Sequence, residues 1–180
     1  MLKKNVIPKK LLWIDLEMTG LEPKDQRIIE VAVIVTDFDF KELETYEAVI
    51  HQSESVLEGA DPWVKENLAA NGLFDQVRVS HLSEGEVETE LMKLIMRHWH
   101  SEPVIIAGSS IHQDRRFIRR YWPDLDKLLH YRMLDVTSIK IYIMGKHMQM
   151  MRKPDAHRAL DDIRASINEF KNYIEQLRKP

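Results

Sequence analysis

Two acidic side chains end an apolar run near the start of the chain. Asp15 and Glu17 follow residues typical of a β-strand. Because side chains alternate between the two faces of a strand, both acids lie on one face. The opposite face, which is the one expected to be buried, carries Leu12, Ile14 and Leu16. Two adjacent carboxylates repel each other unless a positive charge lies between them, and a hard divalent cation would supply it. The alternative is a strand that ends in solvent with both acids hydrated.

Three further side chains with metal or acid–base chemistry lie far along the chain. Asp114 follows a loop after a predicted strand, which is where α/β folds place their sites. The alternative is that Asp114 only compensates the positive end of its own helix dipole. His157 and Asp162 would lie about 140° apart on one continuous helix, so they meet only if His157 belongs to the preceding loop. Asp161 competes with Asp162, but Asp162 lies nearer the apolar stripe and is better placed to face the sheet. Taken alone, His157 reads as a hydrated residue at a helix start.

Taken together, these residues are four acids and one histidine from separated segments. Two divalent cations about 3.5–4 Å apart could clamp a phosphodiester between such acids and activate a water molecule. Magnesium or manganese suits ligation by oxygen alone. A neutral His157 could then act as the general base.

The composition is that of a globular protein. The chain has 180 residues, 44% of them hydrophobic, and a net charge of −3, so one domain with a full core is expected. A general nucleic-acid coat protein would be basic. Cysteine is absent, which excludes disulfides and fits the cytoplasm. No stretch is long enough to span a membrane.

The elements expected to position the acids begin after an N-terminal arm, residues 1–10. Three strands, at about 11–17, 28–38 and 44–51, are spaced as an antiparallel meander. Helices are then expected at 62–71 and from Ser83, whose spacing to Glu86 fits a capping box.

The second half alternates strands and helices. Short strands at 103–107 and 131–134 flank a helix at 113–122 and a helical turn at 125–129. A helix at 136–145, a loop at 146–154 and a long amphipathic helix from Leu160 follow. The prediction is a single α/β domain on a mixed sheet, three antiparallel strands and then parallel ones, flanked by helices.

Four segments resemble one enzyme family in register over nearly the whole chain. They are Asp15–Leu21, Ser110–Phe117, His130–Val136 and His157–Ile163. They are similar to the oligoribonuclease family, which belongs to the DEDDh group of 3′-to-5′ exonucleases with a ribonuclease H-like fold. The resemblance implies a metal-dependent hydrolase, in the cytoplasm, that degrades RNAs of two to about five nucleotides, dinucleotides above all, to 5′-mononucleotides.

The resemblance also implies roles for individual residues. Two magnesium or manganese ions would be bound by Asp15, Glu17, Asp114 and Asp162, with His157 as the general base. Leu21 would wedge between two bases and Trp63 would stack on one. The 5′-phosphate would be capped by Ser110, Arg132 and Thr137. The family is homodimeric, and Tyr131 would reach the partner's site, as a candidate catalytic assistant.

The chain departs from the family pattern at three places. Asn67 and Leu68 stand where the family usually carries one or two histidines after Trp63. His112 replaces a frequent glycine, and the segment 136–157 is short.

Other interpretations stay open on the residues alone. Leu21 and Trp63 could be core residues, and Tyr131 an interface aromatic. An exonuclease of the same group acting on longer RNA or DNA would need an open path where the cap lies. A binding module that has lost catalysis would have no need of four mutually repelling carboxylates.

Overall fold

One mixed sheet forms the centre of the structure, a computed structural model that describes residues 7–147 and 158–178. Its five strands in this part of the chain are β1 (Lys10–Met18), β2 (Ile28–Asp37), β3 (Glu42–Val49), β4 (Val104–Gly108) and β5 (Leu129–Asp135). They lie in the order β3-β2-β1-β4-β5. The first three are antiparallel, whereas β4 runs parallel to β1 and β5 parallel to β4. The predicted mixed α/β sheet is confirmed.

Helices cover both faces of this sheet. Within the described residues they are α1 (Glu54–Glu58), α2 (Pro62–Ala70), α3 (Leu73–Val79), α4 (Glu84–His98), α5 (His112–Tyr121), α6 (Pro123–Leu128), α7 (Val136–His147) and α8 (Ala159–Arg178). The predicted capping box is present: Ser83 Oγ accepts from the Glu86 amide, and the Glu86 carboxylate accepts from the Ser83 amide. No described helix has both the length and the apolar character needed to cross a membrane.

The strands are apolar on both sides because helices pack on each face. One core cluster joins β1 and β2 to α4, α5 and α6, and a second joins the other face to α7 and α8. The alternation in β1 predicts that only one of its faces is buried, and this prediction is wrong. Leu11 and Trp13, on the face of the two acids, are 1% and 0% exposed because the apolar stripe of α8 covers them.

Several predicted boundaries also need correction. Lys10 is the first residue of β1 and not part of an arm, and α7 continues through His147 into the predicted loop, whose remainder lies outside the described residues. β3 begins and ends two residues before its predicted bounds. A tight turn lets Glu42 pair with Thr36, so the strand starts earlier than expected. The short helices α1 and α3 were missed, since five and seven residues are too few to show a helical period.

Candidate active site

Three carboxylates meet where β1 ends beside the start of α8. Asp15, Glu17 and Asp162 each offer an oxygen atom, and these atoms lie within 4.8 Å of one another. All three side chains are half-buried. A β-bulge between Glu17 and Met18 interrupts the ladder with β2 directly after the second acid. Such a group of oxygen ligands suits a hard divalent cation.

Asp114 approaches the same end of β1 from α5. It is buried in the first turn of that helix, with 6% of its surface exposed. Its Oδ1 accepts a hydrogen bond of 3.0 Å from the amide of Leu16, the residue between the two acids of β1. The side chain is therefore tied to the strand of the site and does more than compensate its own helix.

The electrostatics of the metal-free protein are unfavourable to four ionised acids. Burial, and then the charges of Asp15 and Asp162, raise the pKa of Glu17 from 4.5 to about 8. Burial and the neighbouring Asp15 raise the pKa of Asp114 well above its usual range. A bound divalent cation would stabilise the ionised forms, so the residues present fit a metal site.

In the first turn of α8, the two candidate aspartates have different environments. Asp162 points into the cluster, whereas the side chain of Asp161 is exposed. The helix begins with a hydrogen bond of 3.0 Å from the Asp162 amide to the Arg158 carbonyl. His157, the proposed general base, lies outside the described residues.

The loop after β1 carries Leu21 on the surface, where 67% of the residue is exposed. Its carbonyl accepts hydrogen bonds from the side chains of Gln113 and Arg116, both on α5. The preceding Gly20 is packed so closely that a Cβ there would lie 2.4 Å from Asp61 Oδ2. The loop is thus fixed to the element that bears Asp114, and Leu21 is not a core residue.

Trp63 lies on the helix that contacts this loop. The amide of Asp61, directly before α2, donates to the carbonyl of Thr19 at 2.8 Å. Thr19 in turn donates to Gln26, whose side-chain amide reaches Asp61. Trp63 follows in the first turn of α2 and is 56% exposed, so it too lies outside the core.

The proposed phosphate cap divides into two groups. Ser110, with a φ of 53°, donates its amide to Asp135 Oδ1 and to Thr137 Oγ1 at 3.0 and 2.9 Å. On β5, the Arg132 guanidinium lies 5.2 Å from the ring centre of the exposed Tyr131. Within the described part of the chain, no hydrogen bond or ion pair joins Arg132 to Ser110.

The residues that depart from the family pattern make ordinary contacts in the structure. Asn67 donates to the Trp63 carbonyl on its own helix at 2.8 Å, and Leu68 is a core residue, 1% exposed. The exposed His112 lies beside the cap, with Nδ1 3.7 Å from Asp135 Oδ2.

Comparison with known proteins places this chain in a family. A family model described as Exonuclease matches residues 12–170. An oligoribonuclease of Chromobacterium violaceum is 41% identical over 94% of this chain and 96% of its own length. A probable oligoribonuclease of Caenorhabditis elegans is 38% identical over 95% and 90%. The chain belongs to the oligoribonuclease family. The resemblance found in the sequence is thereby confirmed.

Solved structures of more distant proteins have the same fold. Exonuclease I of E. coli, in complex with a 5cy-dA13 oligonucleotide, superposes with a TM-score of 0.69 at 17% identity. The enzyme of Methylocaldum szegediense gives 0.68 at 18%. The match covers 96% of this chain but only 41% of either exonuclease I chain. At this identity the likeness establishes the fold.

Two acids that lie beside the candidate site were not predicted from the sequence. Asp135 holds Ser110 and Thr137 together through its Oδ1. Glu30, 3% exposed, lies opposite Glu17 on β2 and binds Arg158. A charged residue inside the largely apolar strand Ile28–Asp37 was the available signal, because buried acids are rare unless they are paired.

Proposed function

We propose that this protein is a 3′-to-5′ exoribonuclease that hydrolyses very short oligoribonucleotides, dinucleotides above all, to 5′-mononucleotides. The observation that carries the proposal is the group of three carboxylates within 4.8 Å of one another, in a chain of the oligoribonuclease family. Asp114, fixed to the same strand end, is the fourth acid. We propose that the described fold and the arm before it act as one exonuclease domain.

The proposed metal ligands are Asp15, Glu17, Asp114 and Asp162, holding two magnesium or manganese ions. When bound, such ions polarise a phosphodiester and lower the pKa of water. Ionised carboxylates are needed for this, and two of the four acids are protonated readily in the metal-free protein. Metal binding and proton release are therefore coupled here. His157 is proposed to accept the proton of the attacking water, as the family resemblance implies.

Two exposed apolar side chains are proposed to hold the bases. Leu21 and Trp63 are surface residues on elements tied together through Thr19 and Asp61. An exposed tryptophan near a phosphodiester site can stack on any base, because every base has a π-face. Leu21 would separate the two bases of a dinucleotide.

The proposed length limit lies at the end of β5. Ser110 and Thr137 present hydroxyl groups 3.1 Å apart, positioned by Asp135. Together with Arg132, they would bind the 5′-phosphate and fill the space that a longer strand needs. An arginine can form two parallel hydrogen bonds to a phosphate.

A homodimer is part of the proposal. β5 is an edge strand of the sheet, and exposed apolar residues lie on it and on α7. They include Tyr131, Met133, Ile141 and Tyr142. An exposed edge with such residues is a surface that a second copy could cover. Tyr131 would then assist the partner's site.

We place this activity in the cytoplasm, which a sequence without cysteine fits.

A labelled pentanucleotide tests the reaction and its direction. With a 5′ label and magnesium, products shorter by one nucleotide should appear in succession, and EDTA should stop them. Direct release of the labelled mononucleotide would show attack from the 5′ end and contradict the proposal. Absence of products with magnesium and manganese would favour a binding module instead.

A further inference from the structure

Glu30 lies beside the carboxylate cluster yet takes no part in it. It is directly opposite Glu17 in the antiparallel pair of β1 and β2, so both side chains are on the face that α8 covers. Its side chain is 5% exposed. The group of mutually close ligand atoms in the described residues contains Asp15, Glu17 and Asp162, and it leaves Glu30 out.

The oxygens of Glu30 are occupied by the start of α8. Oε1 accepts from Arg158 Nη2 at 2.7 Å and from Nε at 3.0 Å. Oε2 accepts from the backbone amide of Ala159 at 3.1 Å. The first amides of a helix have no partner within it, so a carboxylate from β2 caps α8 as well as pairing with its preceding arginine.

This contact is connected to the site through one turn of helix. The Arg158 carbonyl accepts the amide of Asp162, and this bond places the Asp162 side chain one turn beyond the fixed residue. Arg158 Nη2 also reaches Gln76 of α3 at 3.2 Å, so a third element holds the guanidinium in place. His157 directly precedes Arg158 in the sequence.

We propose that Glu30 and Arg158 form a clamp that sets the position of Asp162 against Asp15 and Glu17, and that Glu30 is a positioning residue for the metal site. The inference rests on the proposed function, because it assigns Asp162 a metal to bind. The clamp acts by hydrogen-bond geometry: the planar fork of Arg158 and the amide of Ala159 both donate to the oxygens of one carboxylate.

The chain offers a matched control on the same helix. Glu169 of α8 pairs with Lys140 of α7 at 3.0 Å and accepts from Tyr173 at 2.5 Å. Its side chain is 13% exposed, against 5% for Glu30, so both acids are largely shielded from solvent. Glu30→Gln and Glu169→Gln remove the same charge from two partly buried ion pairs of α8, but only the first pair holds the end that carries Asp162.

The test measures Mn²⁺ binding by calorimetry and dinucleotide hydrolysis for both variants. Loss of a residue that orients a metal ligand weakens metal binding or activity by about 10- to 100-fold. We therefore expect Glu30→Gln to weaken Mn²⁺ binding by that factor and to lower kcat, with KM for the dinucleotide unchanged. Glu169→Gln should lower the thermal midpoint but keep the wild-type Mn²⁺ affinity and kcat. Arg158→Lys keeps the charge without the fork, and it should show a smaller loss than Glu30→Gln.

Two results would overturn the clamp. One is a wild-type Mn²⁺ affinity in folded Glu30→Gln, and the other is an equal loss in both glutamine variants. If Glu30→Gln does not fold, Arg158→Lys decides, because wild-type Mn²⁺ affinity in that variant would also contradict the clamp. If the wild type binds Mn²⁺ but does not cleave the dinucleotide, the proposed function fails while the calorimetry still decides the clamp.

Discussion

The metal-free protein should lose stability as the pH rises, because Glu17 is more basic in the folded chain than in the unfolded one. Its pKa is raised from 4.5 to about 8, by burial first and by Asp15 next. Between these values the folded state keeps a proton that the unfolded state has released. Stability is therefore greatest below the unfolded pKa and falls as the pH rises towards the folded pKa.

The size of the effect follows from the shift. One group that is protonated only in the folded state changes the free energy of unfolding by at most about 1.4 kcal/mol per pH unit. Between about pH 5 and pH 8 this amounts to about 4 kcal/mol, a large part of the stability of an ordinary domain. Asp114, whose pKa is also raised, acts in the same direction.

Urea unfolding in EDTA, followed by circular dichroism at a series of pH values, measures the slope. Glu17→Gln should be more stable than the wild type near pH 8 and should show a flatter pH dependence. Glu175, an exposed acid of α8, offers the control. The Glu175→Gln variant should show the same dependence of unfolding free energy on pH as the wild type. Equal slopes for the wild type and Glu17→Gln would refute the electrostatic argument.

Three further predictions concern the metal site, the base contact and the fold. Asp162→Asn should abolish turnover with the fold intact, whereas Asp161→Asn, at an exposed position, should keep it; equal activities would remove Asp162 from the site. Trp63→Ala should weaken dinucleotide binding by about 1–3 kcal/mol, and Trp63→Phe by less, with the dissociation constant as the measurement; an unchanged constant would exclude stacking. Ser83→Ala removes the capping box of α4 and should lower the free energy of unfolding by about 1 kcal/mol without changing kcat, and an unaltered urea midpoint would contradict it.

Much of the fold was predictable because its elements carry local signals. β2 is rich in Ile and Val, α4 has its capping box, and α8 has an apolar stripe over several turns. The helix α1 has five residues and no such pattern. The burial of Trp13 depends on α8, which lies more than a hundred residues away, so strand periodicity alone predicted the wrong environment for that face.

The acids and part of their arrangement were predictable from the sequence. Alternation in β1 placed Asp15 and Glu17 together, since that relation is local. The apolar stripe of α8 favoured Asp162 over Asp161, and Asp162 is the residue that joins them. The packing of α8 against the sheet, in contrast, depends on contacts between distant segments, such as that of Arg158 with Glu30. The local pattern did not show that Asp135 accepts hydrogen bonds from both Ser110 and Thr137. These residues come together only when β4 and β5 pair.

Hydrolysis rates across a series of substrate lengths test the central proposal most directly. The substrates are 5′-phosphorylated RNAs of two, three, five, seven and twenty nucleotides, each with magnesium and with EDTA. The proposal predicts that the dinucleotide is cleaved far faster than the others and that EDTA stops every reaction. Equal cleavage of the twenty-nucleotide RNA would contradict the phosphate cap formed with Ser110, and cleavage that continues in EDTA would contradict the metal site.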